Sequence, residues 1–397
     1  MLNFKFFLTE AVSNESKLTH LEHAEDHVIN SGEKGFSHAF HNLKDVHDKL
    51  SGKHNNTTIT SKYDGSPSIV FGHHPKTKKF FVGTKSVFNK DPKINHTNDD
   101  VDKNHGHAPA LAHKLKHALK HLPKVTPKGK IYQADLMHHG VKSDTNKHGD
   151  VEHRHGKFHF KPNTISYSTH SHSDEGKKIS KSKIGIVPHT EYKGHDLTSM
   201  KAHYNADVSK MHSHEHVHVI SPHFDHKKVK YTEEHKKAFH KHLNAATKSF
   251  NNAHRDFHKH VEPHTAHLKT YINHTIRHDT KPNINGYKNH LSRHYNKKAD
   301  AVKTDAAKQR HLNVLGQHHA HVDKHVNHFK STLSMHHHLQ HAKNTLVNAL
   351  NSHTKYHHHI AGIKTKPEGY VVSRNNRPTK LVHRHEFSRA NFLRQSS

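Results

Sequence analysis

The sequence predicts an α+β protein because strand-like and helix-like apolar patterns occupy different stretches of the chain. β-branched and aromatic runs bounded by turns lie between residues 57 and 90, where Thr57 to Thr60 and Ser68 to Phe71 predict the first two strands. Residues 17–50 and most of 195–359 instead carry apolar side chains three and four positions apart, the spacing of an amphipathic helix. We therefore expect a strand-rich core and a separate helical block.

The same two periodicities place the remaining elements. In chain order they predict two helices within 17–50 that separate at Gly32 and Gly35, strands within 57–90, a helix at 108–122 that ends at Pro123, a strand at 130–137, a loop at 142–157, strands at 158–168 and 184–187, and helices at 233–261, 263–278 and 299–350. Within the strand at 158–168, Ile165 and Tyr167 are candidates for lining an adenine face, and a plain core role is the alternative.

Composition limits what the chain can be. Its 397 residues allow two or more domains, yet only 30% are hydrophobic and none is Trp, so each core has few large apolar side chains. No run approaches the roughly 20 apolar residues of a membrane-spanning helix, so no membrane partner is expected. Zero Cys excludes disulfides and thiolate zinc sites.

The charge of the chain indicates phosphate-rich partners. The formal net charge of +29 arises from 63 Lys and Arg against 34 Asp and Glu, which favours nucleic acid through the release of counterions. These numbers do not distinguish RNA from DNA. Acidic residues are sparse in the helical block, so we expect a basic nucleic-acid clamp or partner-docking module there. The alternative is a helical bundle whose charge only keeps it soluble.

Sixty histidines are the compositional anomaly. Because histidine titrates near pH 6.5, acidification by about one unit adds many positive charges, so binding to nucleic acid is expected to tighten as the pH falls. Metal binding at His336 to His338, at His357 to His359 or at the many pairs four residues apart is the alternative. At this density such pairs arise by chance, so their spacing carries almost no information about metal sites.

A lysine lies between the first two predicted strands. Lys62 is followed by Tyr63, Asp64 and Gly65. A free lysine, with a pKa of roughly 10.4, is protonated and inert, but a lysine on a rigid strand beside other cations can lose its proton and attack an electrophile such as a nucleotide α-phosphate. The alternative for this short pattern is a surface hairpin with its turn at Asp64 and Gly65.

This segment resembles motif I of the covalent nucleotidyltransferases, the superfamily of ATP-dependent DNA and RNA ligases and mRNA capping enzymes, in which the motif lysine becomes a lysyl-nucleotide. Four later segments are similar to other motifs of the superfamily, in the same order: Phe80 to Ser86 with Lys85, Lys130 to Met137 with Asp135 (motif III), Pro367 to Val372 with Glu368 (motif IV), and Thr379 to Val382 with Lys380 (motif V). The resemblance implies a ligase-like core of antiparallel sheets with flanking helices.

The resemblance also implies a role for each motif residue. Lys62 is the expected nucleophile toward ATP, and GTP is not distinguished from it. Glu368 and Asp135 are expected to hold Mg²⁺, which prefers hard carboxylate oxygens. The expected nucleotide-binding residues are Asp64 and Gly65 on the ribose side, Lys85 and Lys380 at the phosphates, and Asp135.

Three positions depart from the superfamily pattern. Pro67 stands where many ligases have an arginine, Asp135 is one methylene shorter than the usual glutamate, and Val382 stands where motif V often has a second lysine. Nucleotidylation of Lys62 is therefore better supported than the sealing steps that follow it. A degenerate or repurposed nucleotide site is the alternative.

Almost the whole chain also resembles an uncharacterised group of large tailed-phage proteins with a ligase-like core. The recurring segments are Thr19 to Asp26, Thr84 to Lys90, Lys181 to Thr190 and Glu386 to Phe392. The first eleven residues are too short and too charged for a secretory signal. They resemble the capsid-targeting peptides that a phage head-maturation protease removes after an L-x-E sequence, here Leu8 to Glu10, and an ordinary amphipathic helix is the alternative.

These expectations combine into one hypothesis. Residues 1–16 form a processed capsid-targeting peptide, residues 17–194 and 360–397 form the nucleotidyltransferase core, and residues 195–359 form the helical insertion. The expected activity is formation of lysyl-AMP on Lys62 by an RNA or DNA ligase-like phage enzyme, in the host cytoplasm or packaged in the phage head beside the capsid. The alternative is a non-catalytic, basic, nucleic-acid-binding head-interior protein that keeps the fold.

Overall fold

The computed structural model describes residues 21–144, 146–253 and 256–384, which fall into two units. The sheet unit holds residues 21, 58–225 and 353–378, and the helical unit holds residues 22–57, 226–352 and 379–384. Both strands and helices are abundant, so the predicted α+β class is confirmed. The predicted capsid-targeting peptide and the recurring segment near the C-terminus lie outside the described residues.

The described strands form three sheets with the orders β1-β13-β14, β10-β8-β4-β2-β3 with β9 on β8, and β12-β11-β7-β6-β5. They are β1 (Thr58–Lys62), β2 (Ser68–His73), β3 (Phe80–Gly83), β4 (Ile131–His138), β5 (Glu152–Arg154), β6 (Lys157–Phe160), β7 (Ser166–His170), β8 (Ile184–Lys193), β9 (Lys201–Tyr204), β10 (Val217–Val219), β11 (His357–Ile360), β12 (Ile363–Thr365), β13 (Gly369–Arg374) and β14 (Arg377–Leu381).

The described helices are few in the sheet unit and dominate the helical unit. They are α1 (His27–Leu50), α2 (Asn98–His105), α3 (Pro109–His121), α4 (Asp174–Lys181), α5 (Glu233–Asn251), α6 (Phe257–Val261), α7 (Thr265–His278), α8 (Ile284–Asp300), α9 (Asp305–Lys324) and α10 (Val326–Leu350). No helix among the described residues has the length and apolar character needed to cross a membrane.

The largest sheet is buried on both faces. Ile69 and Phe71 of β2 face one core, which α3 covers with Leu115, whereas Val70 faces a second core that contains Phe81 of β3. This alternation follows from the two-residue period of a strand, and a slip of one residue would exchange the two faces. Burial therefore fixes the register of β2 and β4, and with it the position of the residues at their ends.

The helical unit contains a kinked helix and a buried ion pair. Residues Ser31 and Gly32 of α1 leave the helical conformation, and Gly32 has φ +52°, so the break predicted at this glycine is confirmed. The Lys343 ammonium on α10 donates to Glu25 at 2.7 Å, and both side chains are fully buried. Because a buried charge is costly without its partner, this pair ties the segment before α1 to α10.

The boundaries of the predicted insertion, 195 and 359, differ from those of the helical unit. Strands β9 and β10 both pair with β8, and β11 pairs with β7, so these residues belong to the sheet unit. The central helical segment is 226–352, and α1 groups with it rather than with the predicted core. These strands are only three or four residues long and rich in His and Lys, too short and polar for an alternating pattern to appear.

Several smaller expectations also differ from the structure. The predicted loop at 142–157 contains β5, the strand predicted at 158–168 is divided into β6 and β7, the helix predicted at 299–350 is divided into α9 and α10, and α2, α4 and α8 were not predicted. Helix α2 has eight residues with one fully buried apolar side chain, Val101, so its periodicity is weak. It begins at a capping box formed by Thr97 and Asp100, which is the signal that could have revealed it.

Candidate active site

The antiparallel pairing of β1 and β13 brings two predicted motifs together. Lys62 is the last residue of β1 and lies opposite Gly369, the first residue of β13. Glu368 immediately precedes that glycine, and its Oε1 lies 2.5 Å from Nζ of Lys62. The side chains are 30% and 18% exposed. A lysine and a glutamate that are 306 positions apart in the sequence thus form an ion pair at one end of a small sheet.

Neighbouring carboxylates hold the proton on Lys62. Burial acts to lower the pKa of Lys62, but the charge and hydrogen bond of Glu368 oppose it, with smaller contributions from Asp135 and Asp64, and the pKa is raised above its ordinary value. Lys62 is therefore an ammonium in this arrangement. If a cation neutralised Glu368, the largest contribution that opposes burial would be lost and the pKa of Lys62 would fall, which is the change a nucleophile requires.

The second oxygen of Glu368 is available for such a cation. Oε2 is buried and has no hydrogen-bond partner among the described residues. Buried polar atoms are paired in most proteins, so an unpaired carboxylate oxygen needs an explanation. A hard oxygen of this kind is the ligand that Mg²⁺ prefers, and Glu368 therefore fits the predicted metal role.

Strand β4 brings Asp135 against the turn that follows Lys62. Asp135 pairs in register with Ser68 of β2. A methyl group on Gly65 would lie 2.6 Å from Cβ of Asp135, so the turn approaches β4 too closely for any residue but glycine. Asp135 Oδ1 also lies 3.5 Å from Nε2 of His189. The carboxylate predicted as motif III and the turn of motif I are thus neighbours, and His189 was not predicted to accompany them.

Asp64 anchors the same turn to a distant loop. Its carboxylate accepts hydrogen bonds from Asn163 Nδ2 at 2.9 Å, from the Thr164 N–H at 2.8 Å and from the Ile165 N–H at 2.9 Å. The Asp64 N–H donates to the Tyr167 hydroxyl at 2.7 Å. Three of about four acceptor positions on the carboxylate are occupied, so little capacity is left for a ribose. Ile165 and Tyr167 are fully buried, as the core alternative predicted.

The two lysines expected at the phosphates are less closely tied to this group. Lys85 does not lie on a strand, because β3 ends at Gly83 and Lys85 begins a 3₁₀ helix. It is exposed, and among the described residues it makes no hydrogen bond or ion pair with Lys62 or Glu368. Lys380 lies on β14, in the part of that strand that groups with the helical unit, where its N–H donates to the Glu22 carbonyl at 3.0 Å.

A cleft of about 160 Å³ opens beside Lys62. This volume is smaller than the roughly 300 to 1,000 Å³ that small-molecule sites occupy, so the cleft would enclose only part of a nucleotide. Lys62 and Lys355 supply cations to its wall, and the rings of Phe224 and Tyr370 meet there with their centroids 5.0 Å apart. Positive charge beside aromatic surface suits a nucleotide. Neither Lys355 nor Phe224 was predicted, since no motif or periodicity marks them in the sequence.

Comparison with known proteins gives a family without an activity. No curated protein and no solved structure matches the chain. A family model does match, over residues 14–396, and it describes a family of unknown function (DUF6267). Because the match covers nearly the entire sequence, the chain belongs to the family DUF6267.

Proposed function

We propose that this protein is an ATP-dependent nucleotidyltransferase that becomes adenylylated on Lys62, in the manner of an RNA or DNA ligase. The observation that carries the proposal is the Lys62–Glu368 pair, in which a lysine at a strand end contacts a glutamate with one unpaired buried oxygen. Asp135 beside the same turn and the basic, aromatic cleft support it. The action of such an enzyme in a tailed phage is part of the proposal and rests on sequence resemblance.

The proposed step transfers AMP to nitrogen. Nζ of Lys62 attacks the α-phosphorus of ATP, a P–N bond forms, the bond from that phosphorus to the bridging oxygen of the β-phosphate breaks, and pyrophosphate leaves. The ammonium gives one proton to Glu368 Oε1, its hydrogen-bonded partner, and loses a second proton to solvent as the P–N bond forms. Glu368 and Asp135 would hold Mg²⁺, which would supply positive charge to stabilise the leaving pyrophosphate.

Covalent labelling tests this proposal. The purified protein is incubated with Mg²⁺ and ATP labelled at either the α- or the γ-phosphate, and then denatured. We expect label from the α-phosphate only, with the acid lability and alkali stability of a phosphoramidate. A parallel incubation with α-labelled GTP tests the choice of base. Absence of label with both nucleotides favours the alternative, a basic nucleic-acid-binding protein that has kept the fold, which the charge of +29 supports.

Loss of the Glu368 charge is expected to slow labelling. Glu368→Gln keeps the size of the side chain but removes a metal ligand and the proton acceptor, so we expect labelling to fall at least about tenfold, since one such contact is typically worth a few kcal/mol. The matched control is Glu191→Gln, which removes a carboxylate paired with Lys130 at 2.6 Å elsewhere in the sheet unit. Lys380→Ala is expected to lower labelling to a similar extent, and unchanged labelling would remove motif V from the proposal.

Binding of nucleic acid is expected to depend on salt through the helical unit. Three exposed lysines, Lys237, Lys241 and Lys248, lie along one side of α5. Each phosphate contact contributes about 0.9 to the slope of log affinity against log salt on duplex DNA. If all three contact phosphates, their joint replacement by Gln lowers that slope by about 2.7, measured by fluorescence anisotropy at pH 7.5.

The control for this experiment removes equal charge from the sheet unit. Lys76, Lys79 and Lys90 are also exposed, and their joint replacement by Gln changes the net charge by the same amount. A slope that falls equally in both variants shows a response to overall charge and counts against a clamp on α5. RNA and DNA of the same length, compared in the wild-type protein, test the choice of substrate.

A further inference from the structure

Three histidines of the helical unit meet at one place. His260 lies on α6, His325 separates α9 from α10, and His328 lies in the first turn of α10. One ligand nitrogen of each lies within 4.8 Å of the other two, and no other group of three His, Asp or Glu among the described residues satisfies this condition. The spacing of the 60 histidines along the sequence carried almost no information about metal sites, whereas the fold brings these three together.

The ring of His260 stacks on the rings of His325 and His328, which are tilted by 33° to each other. The centroid of His260 lies 4.0 Å from that of His325 and 4.9 Å from that of His328, with interplanar angles of 15° and 18°. All three side chains are half-buried.

Charges of both signs lie near the rings, since the Lys324 ammonium acts on His325. The Asp256 carboxylate lies 3.6 Å from Nε2 of His260 and supplies the negative charge of this group. Nε2 of His321 lies 2.7 Å from the His260 carbonyl and donates to it, which fixes the backbone that carries His260. Ligand histidines in metal sites commonly have such a carboxylate beside the ring nitrogen that does not bind the metal.

We propose that His260, His325 and His328 bind a divalent transition metal, Zn²⁺ being the representative ion, and that the metal links α6 to the start of α10. Three imidazoles suit zinc, copper, nickel and cobalt, while magnesium prefers oxygen. Nitrogens bound to zinc at about 2.0 to 2.1 Å in a tetrahedron lie about 3.3 Å apart, so ring rotations that move the nitrogens by about 1.5 Å complete the site. A water molecule takes the fourth position.

The test must separate this site from weak binding by the other histidines. Full-length protein is titrated with Zn²⁺ in competition with a chromophoric chelator, and with Co²⁺, whose four-coordinate complexes absorb strongly in the visible. We expect one site per chain that binds more tightly than the background. Joint replacement His325→Gln and His328→Gln should weaken that site at least tenfold and abolish the cobalt absorption band.

The control removes a histidine pair of similar geometry. His274 and His278 lie four residues apart on α7 with stacked rings 4.1 Å apart, and their joint replacement by Gln should leave the tight site intact. His260→Gln, on a different helix from His328, should reproduce the loss, and far-UV circular dichroism shows which variants are folded. The proposal is overturned if the wild type shows no site above background, if the site survives in folded His260→Gln, or if the control loses it equally.

Discussion

We expect Lys62→Ala to lose covalent labelling by α-labelled ATP completely. The amine that forms the P–N bond is absent from this variant, and no other nucleophile takes part in the proposed reaction. Because the Lys62 side chain is paired with Glu368, its removal also leaves that carboxylate unpaired in a partly buried place, and some loss of stability is expected. The labelling reaction is run at protein concentrations at which circular dichroism shows both proteins to be folded. The bound label is then measured after denaturation.

Two further variants make the result specific to Lys62. Lys62→Arg keeps a positive charge for Glu368 but stays protonated at all accessible pH values, so it is expected to fold and to remain unlabelled. Lys130→Ala is the matched control, since Lys130 pairs with Glu191 at 2.6 Å and is 35% exposed, close to the 30% of Lys62. If Lys62→Ala still becomes labelled, another residue is the nucleophile. If Lys130→Ala loses label to the same extent, the loss in Lys62→Ala reflects lowered stability.

The core of the candidate site could be predicted because it lies on or beside strands. The apolar, β-branched runs of β1, β2, β4 and β13 are visible in the sequence, and three polar residues stand out against them: Lys62 at the end of β1, Asp135 within β4 and Glu368 just before β13. The strand predicted to end at an acidic residue instead continues past Asp135 to His138. The pairing partners could not be derived from periodicity. The order of the recognised motifs suggested which segments belong together. The pairing of Lys62 with Gly369 places two of these segments in contact.

The remaining parts of the site depend on contacts between distant segments. Asp64 is held by residues about 100 positions away, in a loop with no pattern of its own. Lys355 and Phe224 reach the cleft only because β11 pairs with β7 and the chain folds back after β10. The secondary-structure preferences of single residues do not show which distant segments lie side by side. Because no recognised motif marks these positions, the sequence could not reveal their part in the site.

The pKa values of the histidines could not be predicted from the sequence either. Taken as a sequence, all 60 have an ordinary pKa near 6.5. In the helical unit, burial and then neighbouring histidines lower the pKa to about 3 for His264 and His337 and to about 4 for His242, His267 and His290. These side chains stay neutral between pH 7.5 and 6, so the expected tightening of nucleic-acid binding over that range must come from the more exposed histidines.

The lowered pKa values predict that the helical unit loses stability as the pH falls below about 6.5. In the unfolded chain each histidine binds a proton near pH 6.5, whereas in the folded unit these do so only near pH 3 to 4, so the unfolded state binds more protons and stability rises with pH. For His264, which is 1% exposed, the difference at pH 5 is about 2 kcal/mol, because 1.5 pH units correspond to about 2 kcal/mol. The half-buried histidines contribute less each, since solvent screens them.

Urea unfolding at pH 7.5 and pH 5.0, at equal ionic strength and followed by far-UV circular dichroism, measures this loss. We expect the helical signal to unfold at a clearly lower urea concentration at pH 5.0. His264→Phe should reduce the pH dependence by about one proton, while His54→Gln, at an exposed position of the same unit, should not change it. Equal stability at the two pH values would contradict the prediction. Because acid both charges the exposed histidines and destabilises the unit, tighter nucleic-acid binding has to be sought between pH 7.5 and 6.5, where the fold is still intact.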